Sequence, residues 1–176
     1  MKKILIAILF SVLPCSQSLA DPGWFAGIGA GLVTSDDSSE TIEPVNLYLR
    51  GGLGINERFD VGVEVTSTIS DDGVGSVDYD LETTLVFIKI NFDLGDSKTI
   101  YAILGSASIE ITEKQRGTSV TFDDSGTAFG VGIEFWNSDN SAFIVDYISY
   151  YDDDEFDGVS GDLTVDGLNL GYVSYF

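Results

Sequence analysis

From Gly23 onward, apolar and polar residues alternate one by one along most of the chain. The clearest runs are 45–50, 59–66 and 129–135, where Val, Leu, Ile and Phe take one parity and Gly or polar residues the other. A period of two marks a strand with two unlike faces. Cutting the chain where Gly, Asn, Asp and Ser cluster leaves eight such segments, at 24–33, 45–54, 59–69, 81–92, 99–111, 126–136, 141–151 and 163–176. Each is long enough to cross a bilayer as a tilted strand of ~9–11 residues. The 3.6-residue period of an amphipathic helix is nearly absent.

The connections alternate in length. Those at 55–58, 93–98 and 137–140 are short; those around 34–44, 70–80, 112–125 and 152–162 are long. Short turns on one side and long loops on the other are the pattern of a transmembrane barrel. The pattern therefore predicts an all-β fold, an eight-stranded antiparallel up-and-down transmembrane β-barrel with both chain ends on the short-turn side. If 70–80 folds back as a hairpin extension, the strand count changes.

Residues 1–20 have the layout of a secretory signal peptide: Lys2 and Lys3, an apolar stretch at 4–13, and Ser18-Leu19-Ala20 as a cleavage site. The expected mature domain is 21–176. Cys15 follows Pro14 where a lipoprotein signal needs a small residue, so the single cysteine is expected to leave with the leader.

Loss of the leader leaves six basic residues against 29 acidic ones. Such a surplus excludes nucleic acid as a partner. With 44% hydrophobic residues the chain is too apolar to be disordered, so the acid must be segregated. More than half of it falls in the four long connections, on one rim. The polar parity of the strands is mostly Gly, Thr and Ser with isolated charges, which suits a narrow lumen, while the apolar parity suits lipid. The competing reading is a soluble periplasmic barrel that binds a ligand inside and keeps its apolar face as a core.

Leu168, Leu170, Tyr172 and Phe176 share one face of the last segment, with Ser174 where an aromatic residue is more usual. This resembles the C-terminal signal by which the barrel assembly machinery recognises outer-membrane barrels. The opening Gly23-Trp24-Phe25-Ala26-Gly27-Ile28-Gly29-Ala30-Gly31 is similar to the first strand of the OmpA/OmpX-like small barrels. The resemblance implies an eight-stranded barrel of the bacterial outer membrane, among lipid and lipopolysaccharide, with its ends in the periplasm and roles in envelope integrity, adhesion or evasion. Aromatics near segment ends (Trp24, Phe25, Tyr101, Phe135, Trp136, Phe143, Tyr147, Tyr150, Tyr151, Tyr172 and Phe176) fit interfacial girdles.

The chain has no histidine, which removes the commonest general base and metal ligand. Small barrels that are enzymes rely on histidine, so no catalysis and no cofactor are expected. Arg50, Glu64 and Glu134 fall on the polar parity. Lys89 joins them if Val86, Ile88, Ile90 and Phe92 face lipid, although Leu85 and Phe87 then also point inward. In a lumen just wide enough for side chains, unpaired ions are costly. A lumenal cluster of Arg50, Lys89, Glu64 and Glu134 is therefore expected, with Asp146 and Glu110 as further candidates. The cluster reads as a fixed plug, with a narrow ion or small-solute channel as the alternative. Asp152, Asp153, Asp154 and Asp157 form an acidic run that could hold a divalent cation at a loop, without EF-hand spacing; its plainer reading is a solvated tip. The chain is expected to be a monomer.

Overall fold

The computed structural model describes residues 23–176 apart from 38–40, 71, 75, 76, 96, 116, 117, 157 and 158. The expected signal peptide at 1–20, with Cys15, and Asp157 of the acidic run lie outside the described residues. Eight long strands follow in order: β1 (Trp24–Asp36), β2 (Val45–Asn56), β3 (Phe59–Ser70), β4 (Val77–Asp93), β5 (Lys98–Gln115), β6 (Thr118–Ser138), β7 (Ser141–Phe156) and β8 (Val159–Tyr175). Each pairs antiparallel with the next, and β8 returns to β1 from Phe25↔Tyr175 to Asp36↔Thr164. The ring closes.

Two short ladders are added to it. Thr41–Ile42 pairs with the end of β1, and Asp72–Val74 folds back on β4 as Asp72↔Tyr79 to Val74↔Val77. The described residues of 70–80 thus pair as a hairpin extension, and the ring still has eight strands. The long connections at 112–125 and 152–162 are largely strand rather than irregular loop. β5 and β6 stay paired as far as Gln115↔Thr118, and β7 and β8 as far as Phe156↔Val159. The turn-forming residues there leave the β5–β6 ladder without a register shift, while the β7–β8 ladder shifts between Ser160 and Leu163 and again between Val165 and Asp166.

The opposite turns are tight for identifiable reasons. Asn56 Oδ1 accepts from the backbone N–H of Arg58 at 2.9 Å and of Phe59 at 3.1 Å, which closes the β2–β3 turn. Between β4 and β5 Gly95 adopts φ +88°, a conformation that other residues rarely adopt.

One parity of every strand faces out, and over a common band it is apolar. On β5 the outward series runs Ile100, Ala102, Leu104 and then Ser106, Ser108, Glu110. On β6 it is Phe135, Ile133, Val131, Phe129 and then Thr127, Ser125, Asp123. On β8 it is Tyr172, Leu170, Leu168 and then Asp166, Thr164. Leu170 and Val131 are each 60% exposed. Water would not tolerate such a belt around a whole molecule. Strand of the length of 168–176, at ~3.3 Å per residue and ~40° tilt, rises roughly 23 Å, which matches the ~25 Å hydrocarbon band of a membrane barrel. The soluble-barrel reading fails on this belt.

Beside the Gly, Thr, Ser and charged residues expected on the inward face, the interior also carries large side chains that the alternation does not reveal. Tyr48, Tyr101, Tyr150, Leu81, Leu85, Ile109 and Ile148 are fully or almost fully buried there. Alternation alone cannot separate an inward Leu from an outward one where both parities are apolar, as at 85–88. Five of the aromatics expected in girdles also point inward: Phe25, Tyr101, Trp136, Tyr150 and Tyr151. Their place along the strand suits an interface, but their parity puts them inside.

Candidate functional site

The lumen holds two ionic clusters, one above the other. Arg50 on β2 lies directly across the ladder from Glu64 on β3. Its Nε donates to Glu64 Oε2 at 2.7 Å, and its Nη1 pairs with Asp146 Oδ2, on β7, at 2.8 Å. Tyr150 donates to Glu64 Oε1 at 2.7 Å, Tyr101 to Asp146 Oδ2 at 2.6 Å, and Asn169 Nδ2 to Asp146 Oδ1 at 2.9 Å. One guanidinium thus holds two carboxylates, and hydroxyl and amide donors take up the remaining lone pairs. Arg50 also stacks over the rings of Tyr48 and Phe87, 5.3 and 5.7 Å from their centroids.

The second cluster lies nearer the short turns. Lys89 on β4 points inward, with Leu85 and Phe87 beside it on the same face. Its Nζ pairs with Glu134 Oε1 on β6 at 2.8 Å and with Asp60 Oδ2 on β3 at 2.9 Å, and donates to Tyr175 OH at 2.8 Å. Tyr175 donates in turn to Glu134 Oε1 at 2.7 Å, and Asn91 Nδ2 to Asp60 Oδ2 at 2.9 Å. Tyr101 links the two clusters, its ring 5.2 Å from Lys89 Nζ and its hydroxyl on Asp146.

Arg50, Glu64, Lys89 and Glu134 are all 5% exposed or less. Of the two further candidates, Asp146 belongs to the cluster and Glu110 does not. Glu110 is on the outward parity of β5 and exposed to solvent. The sequence reading missed Asp60, Tyr101, Tyr150, Asn169 and Tyr175. Asp60 has the parity of Glu64 four residues on, a signal available in the sequence; the tyrosines carry none beyond parity.

Beyond the upper cluster, away from the turns, the lining becomes apolar: Val33, Leu81, Ala107, Ile109, Ile148, Leu163 and Val165 are buried together with Tyr151. On the same stretch of strand the outward parity is already polar. Where the barrel leaves the bilayer it exchanges its faces and acquires the dry core of a soluble β-barrel.

A family model for the outer membrane protein beta-barrel domain matches residues 4–176. The chain belongs to this family. Among solved structures it is similar to Neisserial surface protein A, with a TM-score of 0.76 and 15% identity over 88% of this chain and 97% of that one. Ail, the attachment invasion locus protein of Yersinia pestis, has been solved with the heparin analogue sucrose octasulfate; its TM-score is 0.65 at 17% identity, covering 89% and 99% of the two chains. OprG of Pseudomonas aeruginosa gives 0.59 at 12% identity, covering 91% and 99%. At these identities the likeness is one of fold. No curated protein matches in sequence.

As in any such barrel, the part beyond the band is what water-borne molecules meet. Asp152 and Asp153 are exposed on adjacent positions of β7, across from Thr164 and Leu163. Successive strand residues point to opposite faces, so the two do not converge. Among the described residues no group of three acidic side chains could hold a metal ion. Leu168 and Leu170 face lipid, Tyr172 packs edge-on against Phe143 with ring centroids 5.3 Å apart, and the Phe176 N–H donates to the Trp24 carbonyl at 2.8 Å.

Proposed function

We propose that this protein is a non-catalytic surface component of the bacterial outer membrane, in which the barrel is an anchor and the strand extensions make the contacts. The observation that supports the reading is the filled lumen, in which two buried ionic clusters lie beneath a layer of buried apolar side chains. A wet path would have to break ion pairs whose carboxylates are already occupied by hydroxyl donors, at several kcal/mol for each stranded ion. The absence of histidine supports a role without acid–base chemistry.

On this reading residues 1–20 are a cleaved signal peptide. The face of Leu168, Leu170, Tyr172 and Phe176 is what the barrel assembly machinery grips, and lipid and lipopolysaccharide surround a monomer. The polyanion bound by Ail is a poor model for the ligand here, because the outer rim is acidic and would repel a sulfated sugar.

Planar-bilayer recording tests the reading against a channel. Purified refolded protein is expected to give no unitary conductance, together with a heat-modifiable shift in gel mobility that reports a folded barrel. Steps of conductance from the folded, unboiled form would make it a channel.

A further inference from the structure

The pairing of β6 with β7 stops at Phe129↔Ser149, although β6 runs on to Thr118 and β7 to Phe156. Over that stretch β6 keeps its ladder with β5, from Gly126↔Ala107 to Thr118↔Gln115, and β7 stays on β8. Among the described residues no strand pairs with the other edge of 118–128. A side chain spans the gap at its base. The Tyr151 ring packs where a Cβ on Gly126 would approach it to 2.9 Å, and its hydroxyl donates to Asp124 Oδ2 at 3.2 Å. Beyond Asp124 the edge continues.

Proteins usually blunt such an edge with proline, lysine or a bulge. The run Thr118-Ser119-Val120-Thr121-Phe122-Asp123 has neither proline nor lysine, and its ladder with β5 shows no register shift. Its β-branched and aromatic residues favour extended structure. The two faces of the edge differ in chemistry. On the outward face Asp123 lies across from Glu110, and Glu110 across from Glu82 on β4, which puts three carboxylates in one exposed row. Like charges directly opposed destabilise a sheet; a cation added next to Asp123 would relieve the row and an acid would lengthen it. On the inward face are Val120, 49% exposed, and Phe122, which is paired with Ile111.

We propose that the edge of β6 from Thr118 to Asp123 takes an extended partner peptide as an added strand, with basic residues on the Asp123 side and apolar residues on the side of Val120 and Phe122. Backbone hydrogen bonds would give the affinity and the two unlike faces the register. A second copy of this chain is a poorer occupant, since it would bring a second Asp123 toward the acidic row. The inference rests on the reading of the extensions as a contact surface and names the partner's chemistry.

The test uses the full chain folded in detergent micelles and three ten-residue probes: a peptide alternating lysine with valine, one alternating glutamate with valine, and the lysine peptide N-methylated on alternate residues. Amide exchange is followed residue by residue. The lysine peptide is expected to slow exchange at 118–123 about tenfold or more while leaving Glu57 and Arg58 unchanged, and N-methylation to weaken its binding by about tenfold. Asp123→Lys, checked for folding by heat-modifiable mobility, is expected to shift the preference toward the glutamate peptide. Equal binding of the methylated and unmethylated peptides would mean attraction by charge alone and would overturn the proposal. So would protection of 118–123 that rises with protein concentration without peptide, because the occupant would then be a second copy. Conductance in a bilayer would defeat the sealed-anchor reading and leave these readouts unaffected; loss of peptide binding would defeat the edge site and leave the anchor standing.

Discussion

Tyr48 leans from β2 along the barrel wall over Gly29 on the adjacent β1 and Gly171 on β8 beyond it, where a Cβ on either glycine would collide with its ring or hydroxyl. Its hydroxyl is buried and has no hydrogen-bond partner among the described residues. Tyr48→Phe should therefore leave stability unchanged or raise it by up to ~1 kcal/mol, since no bond is lost and a desolvated hydroxyl is removed. Gly171→Ala must push the ring aside and should cost about 1–3 kcal/mol. Arg50 is the opposite case, because Arg50→Met strands Glu64 and Asp146 together in a sealed interior and should cost about 3–5 kcal/mol. Adding Glu64→Gln and Asp146→Asn should recover part of the loss. Urea unfolding in lipid vesicles measures all of these, and an Arg50→Met barrel as stable as the parent would mean that the cluster contributes nothing. Parity is enough to place Arg50, Glu64 and Glu134 inside, whereas Lys89 sits where both parities are apolar and needed the register of β4. Parity could not show that one guanidinium and one ammonium each serve two carboxylates from separate strands, because that depends on ring closure, which no local pattern encodes.

At the scale of the strand, β8 records the membrane most plainly. Leu170 faces the band and Asp166, four residues earlier with the same parity, lies beyond it. Leu170→Arg should destabilise by about 2–4 kcal/mol and Asp166→Arg by ~0–1 kcal/mol, the depth dependence expected for charge on a lipid face. Folding titrations of the two variants in vesicles provide the comparison, and equal costs would place the band elsewhere. Strand number and the short turns could be read from the sequence because alternation and turn chemistry are both local. The outer extensions could not. At 112–125 and 152–162, Asp, Gly and Ser resemble a loop, yet most of the described residues there continue a ladder already begun below them, and tertiary context overrides their weak propensity.

For the molecule as a whole, the exchange of faces makes two barrels in series, one with lipid outside and an ionic interior, the other with water outside and an apolar interior. Substitutions in the second should behave as in a soluble protein. Leu81→Ala or Ile109→Ala should cost about 2–5 kcal/mol through the cavity left behind, by the same amount in micelles and in bilayers, whereas the penalty of Leu170→Arg should depend on the bilayer. Unfolding midpoints in the two media test this, and a bilayer-dependent Ile109→Ala would mean that the extension touches lipid.

The common level at which Leu104, Phe129 and Leu168 give way to Ser106, Thr127 and Asp166 works as a waterline around the hull. If the barrel sank by one outward residue, the hydroxyls of Ser106 and Thr127 and the carboxylate of Asp166 would enter hydrocarbon; if it rose by one, a ring of Leu and Phe would be left in water. Its draught is thus set by side chains spread over many strands. Membranes of the wrong thickness should be excluded by that line before any partner is met.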